Sequence, residues 1–274
     1  MTVKMIVTDL DGTLLNTENK ISQENRNAFK EAKKKGIIPV VATGRVDKEG
    51  WFAAEAIDAT AYMLSGNGGV VKDYVKDITV FEDALSREII AHFLEIIEGF
   101  DNIFVQAQTR DGCVCTSKSH LVMPNAGWAE DYVKKFYDQQ IVVENLMDYL
   151  TVKKLPVNKF VVSSNDFKKL DNIQEKLALI KGAAALRPMD YCLECIPEEV
   201  DKGLGLTKLC EYLGIALEEV MVIGDSDNDV EMLEIAGVKI AMGNGYDCVK
   251  NIADYIVGIN DEHGVAEAIL KYAL

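Results

Sequence analysis

The chain predicts an α/β protein, a doubly wound, mostly parallel (Rossmann-like) sheet core carrying an inserted α+β domain. Three observations predict it. Short apolar runs of the kind found in buried parallel strands alternate with amphipathic helical stretches. Each run in the outer parts of the chain ends in small, polar or acidic residues. The middle, 83–193, mixes helices and strands whose ends lack acidic clusters.

Residues 3 to 8, with Met5-Ile6-Val7 at their centre, read as the first buried strand and deliver Asp9-Leu10-Asp11-Gly12-Thr13 to its carboxyl end. Residues 22 to 35 read as a helix, with Ser22 as N-cap and Gly36 just past the end. Ile37 to Ala42 is a continuous apolar run, in which Pro39 requires a place where no ladder donor is needed. It ends at Thr43-Gly44-Arg45. A short strand at Tyr62-Met63-Leu64 runs into Ser65-Gly66-Asn67-Gly68-Gly69. The insert carries helices near 86–98, 127–138 and 166–180 and strands near 102–107, 157–163 and 183–186. Beyond it, Val220 to Ile223 ends at Gly224-Asp225, and Ile240-Ala241-Met242 ends at Gly243-Asn244-Gly245. If these strands are parallel neighbours, their ends converge on one crevice, the usual ligand site of an open α/β sheet. The expected division is a core of 1–82 and 194–274 with an inserted domain of 83–193.

A length of 274 residues with 49% hydrophobic content provides a sizeable core. The 44 acidic and 29 basic residues leave a net charge of -15, which repels nucleic acid and anionic lipid in the absence of a basic patch, and no long basic run exists. No apolar stretch approaches the roughly 20 residues of a membrane helix, and Met1-Thr2-Val3-Lys4 lacks the zones of a signal peptide. A cytoplasmic protein with no nucleic-acid or membrane partner is expected. Cys192 and Cys195 have CxxC spacing, and Cys113 with Cys115 could form the other half of a zinc site. The surrounding Tyr191 to Ile196 reads as a strand, however, in which residues three apart face opposite sides, so the cysteines are read as buried structural thiols.

Asp9 and Asp11 lie two apart, so in extended backbone both side chains address one centre. Such a pair divides the labour of phosphoryl transfer: one carboxylate attacks phosphorus, while the other exchanges protons with the leaving group or with water. An exposed acidic turn is the alternative. Gly224-Asp225-Ser226-Asp227-Asn228-Asp229 offers the hard oxygens that Mg²⁺ accepts. It is not a calcium EF-hand loop, because Val230 stands where that loop needs glycine and Ala236 where it needs glutamate. A solvated helix N-terminus remains the alternative. Lys202 opens an amphipathic stretch containing Leu206, Leu209 and Leu213, at a helix start where the dipole disfavours a cation. A bound phosphoryl group and two carboxylates would justify it there.

Together, Asp9-Leu10-Asp11-Gly12-Thr13-Leu14, Ala42-Thr43-Gly44-Arg45, Asp201-Lys202-Gly203 and Gly224 to Asp229 occur in the order and spacing of the haloacid-dehalogenase-like superfamily. The chain more narrowly resembles that superfamily's Cof-type sugar-phosphate phosphatases, whose patterns Ser65 to Gly69 and Leu193-Glu194-Cys195-Ile196-Pro197 also resemble. It departs from them at Glu199, usually glycine, and at Cys195, usually aliphatic; neither lies in a catalytic motif. The resemblance implies a Mg²⁺-dependent hydrolase of small phosphorylated metabolites with a phosphoaspartate intermediate on Asp9 and general acid/base chemistry on Asp11. Thr43, Gly44 and Lys202 would hold the transferring phosphoryl group. The metal set would be Asp9, the Asp11 carbonyl and Asp225, supported by Asp229 and Asn228. Arg45, Asn67 and Asn228 would lie on the substrate side. The insert would be a cap that closes over the site and reads the leaving group, with Arg110, His120 and Arg187 as its candidate residues. Two rival functions fit the same motifs: a phosphomutase of the same superfamily, and a phosphoaccepting signalling module. A monomer or small homo-oligomer is expected.

Overall fold

A computed structural model describes residues 2–274 and divides the chain into two compact units, Met1–Glu82 with Val200–Leu274, and Asp83–Glu199. In chain order the first unit begins with β1 (Met5–Thr8), α1 (Gln23–Lys34), β2 (Ile38–Ala42), α2 (Asp47–Ala56), β3 (Tyr62–Ser65), β4 (Val70–Asp73) and β5 (Ile78–Glu82). The second unit holds α3 (Arg87–Glu98), β6 (Phe104–Thr109), β7 (Gly112–Thr116), α4 (Ser117–His120), α5 (Glu130–Phe136), β8 (Ile141–Val143), α6 (Leu146–Lys153), β9 (Lys159–Ser163), α7 (Phe167–Leu177), β10 (Ala183–Met189) and β11 (Cys192–Pro197). The chain then returns to the first unit with α8 (Lys202–Leu213), β12 (Val220–Gly224), α9 (Val230–Ile235), β13 (Val238–Ala241), α10 (Asp247–Ile252), β14 (Tyr255–Ile256) and α11 (Gly264–Tyr272).

The first unit is built on a sheet of order β14-β13-β12-β1-β2-β3-β4-β5, parallel from β14 to β3 and antiparallel over the last two strands. Both faces are apolar, as parallel strands require. Ile6, Val41, Met63 and Ile223 pack with Phe29, Ala53 and Ile269 from α1, α2 and α11. Met5, Val7, Val40 and Val222 pack on the opposite face with Leu206, Leu209, Leu233 and Val249 from α8, α9 and α10. Ser22 caps α1 by accepting from the Asn25 amide, and Lys33 and Lys34 meet the negative end of the helix dipole. The Ile38 amide donates to Lys4, so alternation turns the Pro39 nitrogen toward β3, which pairs with β2 only at Val41 and Ala42. The proline therefore removes no ladder bond.

The register decides where the functional residues emerge. Thr8 is level with Ile223 on one side and Val41 on the other. Asp9, Gly224-Asp225 and Ala42-Thr43 consequently leave the sheet side by side at its carboxyl edge.

The second unit has a sheet of order β10-β11-β9-β6-β7-β8, antiparallel except for the β7–β8 pair. One face, with Val105, Ala107, Phe160, Val162 and Leu193, packs against Ile90, Phe93, Leu170 and Ile173 of α3 and α7. Phe93 and Phe160 stack with ring centroids 3.9 Å apart. The expected boundary between 193 and 194 is corrected here: it would cut β11, whose pairing with β10 extends from Cys192 to Pro197, and the unit runs to Glu199. The expected helix at 127–138 is shorter as well. Gly127 has φ +100, and a Cβ there would lie 2.5 Å from that of Tyr191, so this turn precedes the helix, which starts only at Glu130.

Cys195 faces the apolar core of this unit, while Cys192 lies level with Ser163, on the other face. Burial pushes both thiols up to about 12, as expected of inert core cysteines. All six cysteines are free. No helix among the described residues is long and apolar enough to cross a membrane.

Candidate active site

Asp9 follows directly on β1 and is 4% exposed. The next residues turn away at once: Gly12 has φ +81, and a Cβ on it would lie 2.4 Å from an Asp225 carboxylate oxygen. Only glycine accommodates both the conformation and the approach. Thr13 then donates from Oγ1 to Asp225 Oδ1 at 2.6 Å, which orients the carboxylate that follows β12. Thr13 stands within the sequence motif, where nothing in the sequence gives it this task. Nor does the sequence point to Asn244, whose Nδ2 donates to the Gly12 carbonyl at 2.8 Å and ties the β13 loop to the β1 loop.

Asp229 is fully buried in the short 3-10 turn after β12. Its Oδ2 accepts from the amides of Asp225 and Ser226, at 2.8 and 3.1 Å. Its Oδ1 accepts from Lys202 Nζ at 2.6 Å, and the same ammonium donates to Asp9 Oδ1 at 2.5 Å. Lys202 is the first residue of α8, capped by Asp201, which accepts from the Leu204 amide. The cation stands at the unfavourable end of the dipole with no exposed surface, held by two carboxylates. Asp229 thus has both oxygens engaged, and it acts here as the support of Lys202 and of the Asp225 backbone.

Asp9, Asp225 and Asp229 are the one group of potential metal-ligating side chains among the described residues, with ligand atoms within 4.8 Å of one another. Against one ammonium, three carboxylates leave the cluster two negative charges in excess when all are ionised. Burial raises the Asp9 carboxyl well above the ordinary carboxylate range; Lys202 opposes this, and Asp229 and Asp225 reinforce it. Burial also pushes Asp225 up to about 6, opposed by the Thr13 hydrogen bond. For Lys202, burial favours the neutral amine, but the carboxylates of Asp229 and Asp9 outweigh it and hold the group protonated. An all-oxygen donor set with this excess charge suits a hard divalent cation.

Asp11 differs from Asp9 in being half exposed. It forms a bidentate pair with Arg45, Nε to Oδ2 at 2.8 Å and Nη2 to Oδ1 at 2.5 Å. Thr43, buried after β2, accepts at Oγ1 from the Arg45 amide at 3.1 Å. The Thr43 carbonyl accepts from the Asn67 amide. Asn67 is left-handed at φ +56, a conformation asparagine tolerates, and its Oδ1 accepts from Asn228 Nδ2 at 3.0 Å. A Cβ on Gly44 would lie 2.8 Å from that same Oδ1. The loops after β1, β2, β3 and β12, with the first residue of α8, therefore bring Asp9, Asp11, Thr43, Gly44, Arg45, Asn67, Lys202, Asp225, Asn228 and Asp229 together within the first unit. The candidates in the second unit fare differently. Arg187 is paired with Asp171 and with the Asp190 carbonyl, and His120 stacks on Tyr137 at 3.9 Å while bonding its carbonyl. Arg110 is an exposed turn residue between β6 and β7.

Residues 6–269 match the haloacid dehalogenase-like hydrolase family. Two similar proteins of Bacillus subtilis are 5-amino-6-(5-phospho-D-ribitylamino)uracil phosphatases. YwtE is 31% identical over 291 residues, spanning 96% of both chains. YcsE is 30% identical over 272 residues, spanning 99% of this chain and 96% of its own. The crystal structure of a haloacid dehalogenase-like hydrolase from Bacteroides thetaiotaomicron superimposes with a TM-score of 0.83 at 33% identity, covering 98% of this chain and 99% of that one. A family match over nearly the whole chain, phosphatase relatives of full length and the shared fold lead to one conclusion: the chain belongs to the haloacid dehalogenase-like hydrolases of Cof type and is a phosphoric monoester hydrolase.

Proposed function

We propose that the protein is a Mg²⁺-dependent phosphatase of small phosphorylated metabolites, working through a phosphoaspartate on Asp9. The observation that carries this reading is the buried Asp9-Asp225-Asp229 cluster with Lys202 at its centre. Asp9 attacks phosphorus while Asp11 gives a proton to the departing oxygen. Asp11 then takes a proton from water, which attacks the phosphoaspartate, and inorganic phosphate leaves with Asp9 regenerated. Lys202 stays protonated and offsets charge on Asp9 and on the phosphoryl oxygens, and Thr43 with the Gly44 amide positions those oxygens. Asp9, Asp225 and the Asp11 carbonyl would hold Mg²⁺, which when bound neutralises charge on the phosphoryl group. Arg45 engages both Asp11 oxygens and fixes the orientation of the carboxylate, so Asp11 would release one of these contacts when it carries a proton.

The second unit would be the cap that reads the leaving group. Two relatives are named for a phosphorylated ribitylaminouracil, so that ester and simple sugar phosphates head the substrate panel. Five buried cysteines, all free, and the acidic balance fit a cytoplasmic setting and a free metabolite as partner. Assayed with Mg²⁺ and with EDTA, the panel is expected to show turnover of at least one ester that chelation abolishes and added Mg²⁺ restores. Turnover unaffected by EDTA would exclude the metal.

Asp11→Asn is expected to lower kcat by roughly 10² to 10⁴, the usual worth of a general acid/base. Divalent cation binding, followed by calorimetry, should stay within a few-fold of wild type. Collapse of metal affinity in that variant would mean that the two aspartates exchange roles.

A further inference from the structure

The β1 loop carries Asp9 and Asp11, and its loosest joint is Gly12. Glycine is required there by the left-handed turn and the approach to Asp225, yet no other residue holds its backbone angles less firmly. The joint is held from outside the loop, by a residue 232 positions downstream. Asn244, which follows β13, donates from Nδ2 to the Gly12 carbonyl at 2.8 Å. Its Oδ1 accepts from the Asn260 amide at 2.9 Å. A backbone N–H can only donate, so this second bond decides which end of the Asn244 side chain faces Gly12. The Asn260 side chain donates in turn to the Leu15 carbonyl at 2.9 Å, and the Thr17 amide donates to Asp261 at 2.9 Å. Asn244 is an exposed residue, yet both ends of its amide are committed to the backbone of distant loops. The same segment also grips Asp225. The Tyr246 amide donates to the Asp225 carbonyl at 2.8 Å, and a Cβ on Gly245 would lie 3.0 Å from that oxygen. Residues 244–246 therefore touch both the peptide chain just after Asp11 and the backbone of Asp225.

We propose that Asn244 is a positioning residue for the metal. By holding the Gly12 carbonyl it fixes the turn that carries the Asp11 carbonyl, and through the Tyr246 amide the same segment fixes Asp225, so the two ligands keep one relative placement. This inference rests on the reading of Asp9, Asp225 and the Asp11 carbonyl as the Mg²⁺ set. Asn244 acts only through the Gly12 backbone. Thr43, Gly44 and Lys202, which would hold the phosphoryl group, stand on other elements, so loss of Asn244 falls on the metal and not on the ester.

Calorimetric titration with Mg²⁺ alone tests this. Asn244→Ala is expected to weaken Mg²⁺ binding by about tenfold or more, the usual effect of removing a group that orients a metal ligand. Its KM for p-nitrophenyl phosphate at saturating Mg²⁺ should stay within about twofold of wild type, while the Mg²⁺ concentration for half-maximal rate rises in step with the lost affinity. Thr17→Ala loosens the far end of the same loop and should leave Mg²⁺ affinity unchanged, which separates the Gly12 bond from a general softening. Asn244→Asp keeps the size and the acceptor for the Asn260 amide but turns an oxygen toward the Gly12 carbonyl. Its added negative charge alone would tighten cation binding, so weaker binding in this variant marks the lost donor. Mg²⁺ affinity within about twofold of wild type in Asn244→Ala, unimpaired affinity in Asn244→Asp, or an equal loss in Thr17→Ala overturns the proposal. Thermal unfolding in EDTA shows that each variant is folded, and the isosteric Asn244→Asp decides the matter if the alanine variant is not. Mg²⁺ binding that does not respond to Asn244 removes only this inference, whereas wild type that binds no Mg²⁺ removes the metal mechanism with it.

Discussion

Asp9→Asn should lower kcat by roughly 10⁴-fold or more, the scale on which loss of a nucleophile acts. Asparagine keeps the size of the side chain and an oxygen for Lys202, so positioning is disturbed little; what is lost is the carboxylate that attacks phosphorus. No phosphoenzyme should form in this variant. Acid-quenched protein analysed by mass spectrometry checks this, and an added phosphoryl group in the variant would place the nucleophile elsewhere. The same substitution should not weaken the fold when divalent cations are chelated. The sign follows from the carboxyl's position above its ordinary range, raised first by burial. An acid whose folded pKa exceeds the unfolded value contributes stability below the unfolded pKa, near 4, and loses it as pH rises through the folded value. At neutral pH the ionised group is therefore a burden on the metal-free protein, and the neutral isostere relieves it. Thermal unfolding in EDTA is expected to give Asp9→Asn a midpoint at or above that of wild type. A clearly lower midpoint would show that the Lys202 attraction, not burial, dominates the balance.

The strands that end in functional residues were legible because each is a short apolar run closed by polar residues, a pattern that a parallel sheet imposes on its buried strands. The first helix was legible through its cap, Ser22, and its stop, Gly36. The β4–β5 pair was missed: it alternates weakly, with Ile78 exposed, and lies at the sheet edge where burial exerts little demand on sequence. The β7 strand was also missed, since Gly112 to Thr116 is short, opens on glycine and contains two cysteines, with only Val114 and Thr116 as β-formers. Around Asp9, the residues whose chemistry is local could be named from spacing. The roles that depend on long-range contacts could not. Nothing in the sequence indicates that Thr13 grips Asp225 across 212 residues, that Asn244 secures Gly12, or that Arg45 pairs with Asp11. Asp229 illustrates the same limit. Its place in an acidic cluster suggested a metal ligand, but only the folded chain shows both of its oxygens already accepting hydrogen bonds. In the second unit, Gln106 and Gln108 are unremarkable in sequence, and only the folded chain shows their side-chain oxygens buried without a hydrogen-bond partner.

Lys202→Met should be the most damaging substitution for stability. Methionine is unbranched and only one heavy atom shorter than lysine, so it fills most of the space, little cavity is created, and the loss is mainly electrostatic. Asp9 and Asp229 would then face each other, buried, without the ammonium that both now accept from. Removing one partner of a buried ion pair typically costs about 3 to 5 kcal/mol, because the remaining charge stays desolvated. Two carboxylates are stranded here, which puts the expectation at the upper end of that range in chelator, read by urea unfolding. Mg²⁺ should recover part of it, since a cation bound only by the folded state stabilises by mass action. The double variant Lys202→Met, Asp229→Asn should be more stable than Lys202→Met alone, because it removes one of the two stranded charges, although Asp229→Asn in the wild-type background destabilises by breaking its own pair. That reversal of sign between backgrounds is the signature of direct coupling, which independent sites do not show. Additive effects of the two substitutions would mean that Lys202 is held by packing along α8 and not by its carboxylates. Activity offers no such rescue: both variants lack the cation that offsets phosphoryl charge, and turnover should be lost in each by roughly 10²-fold or more, the loss typical of one electrostatic stabiliser.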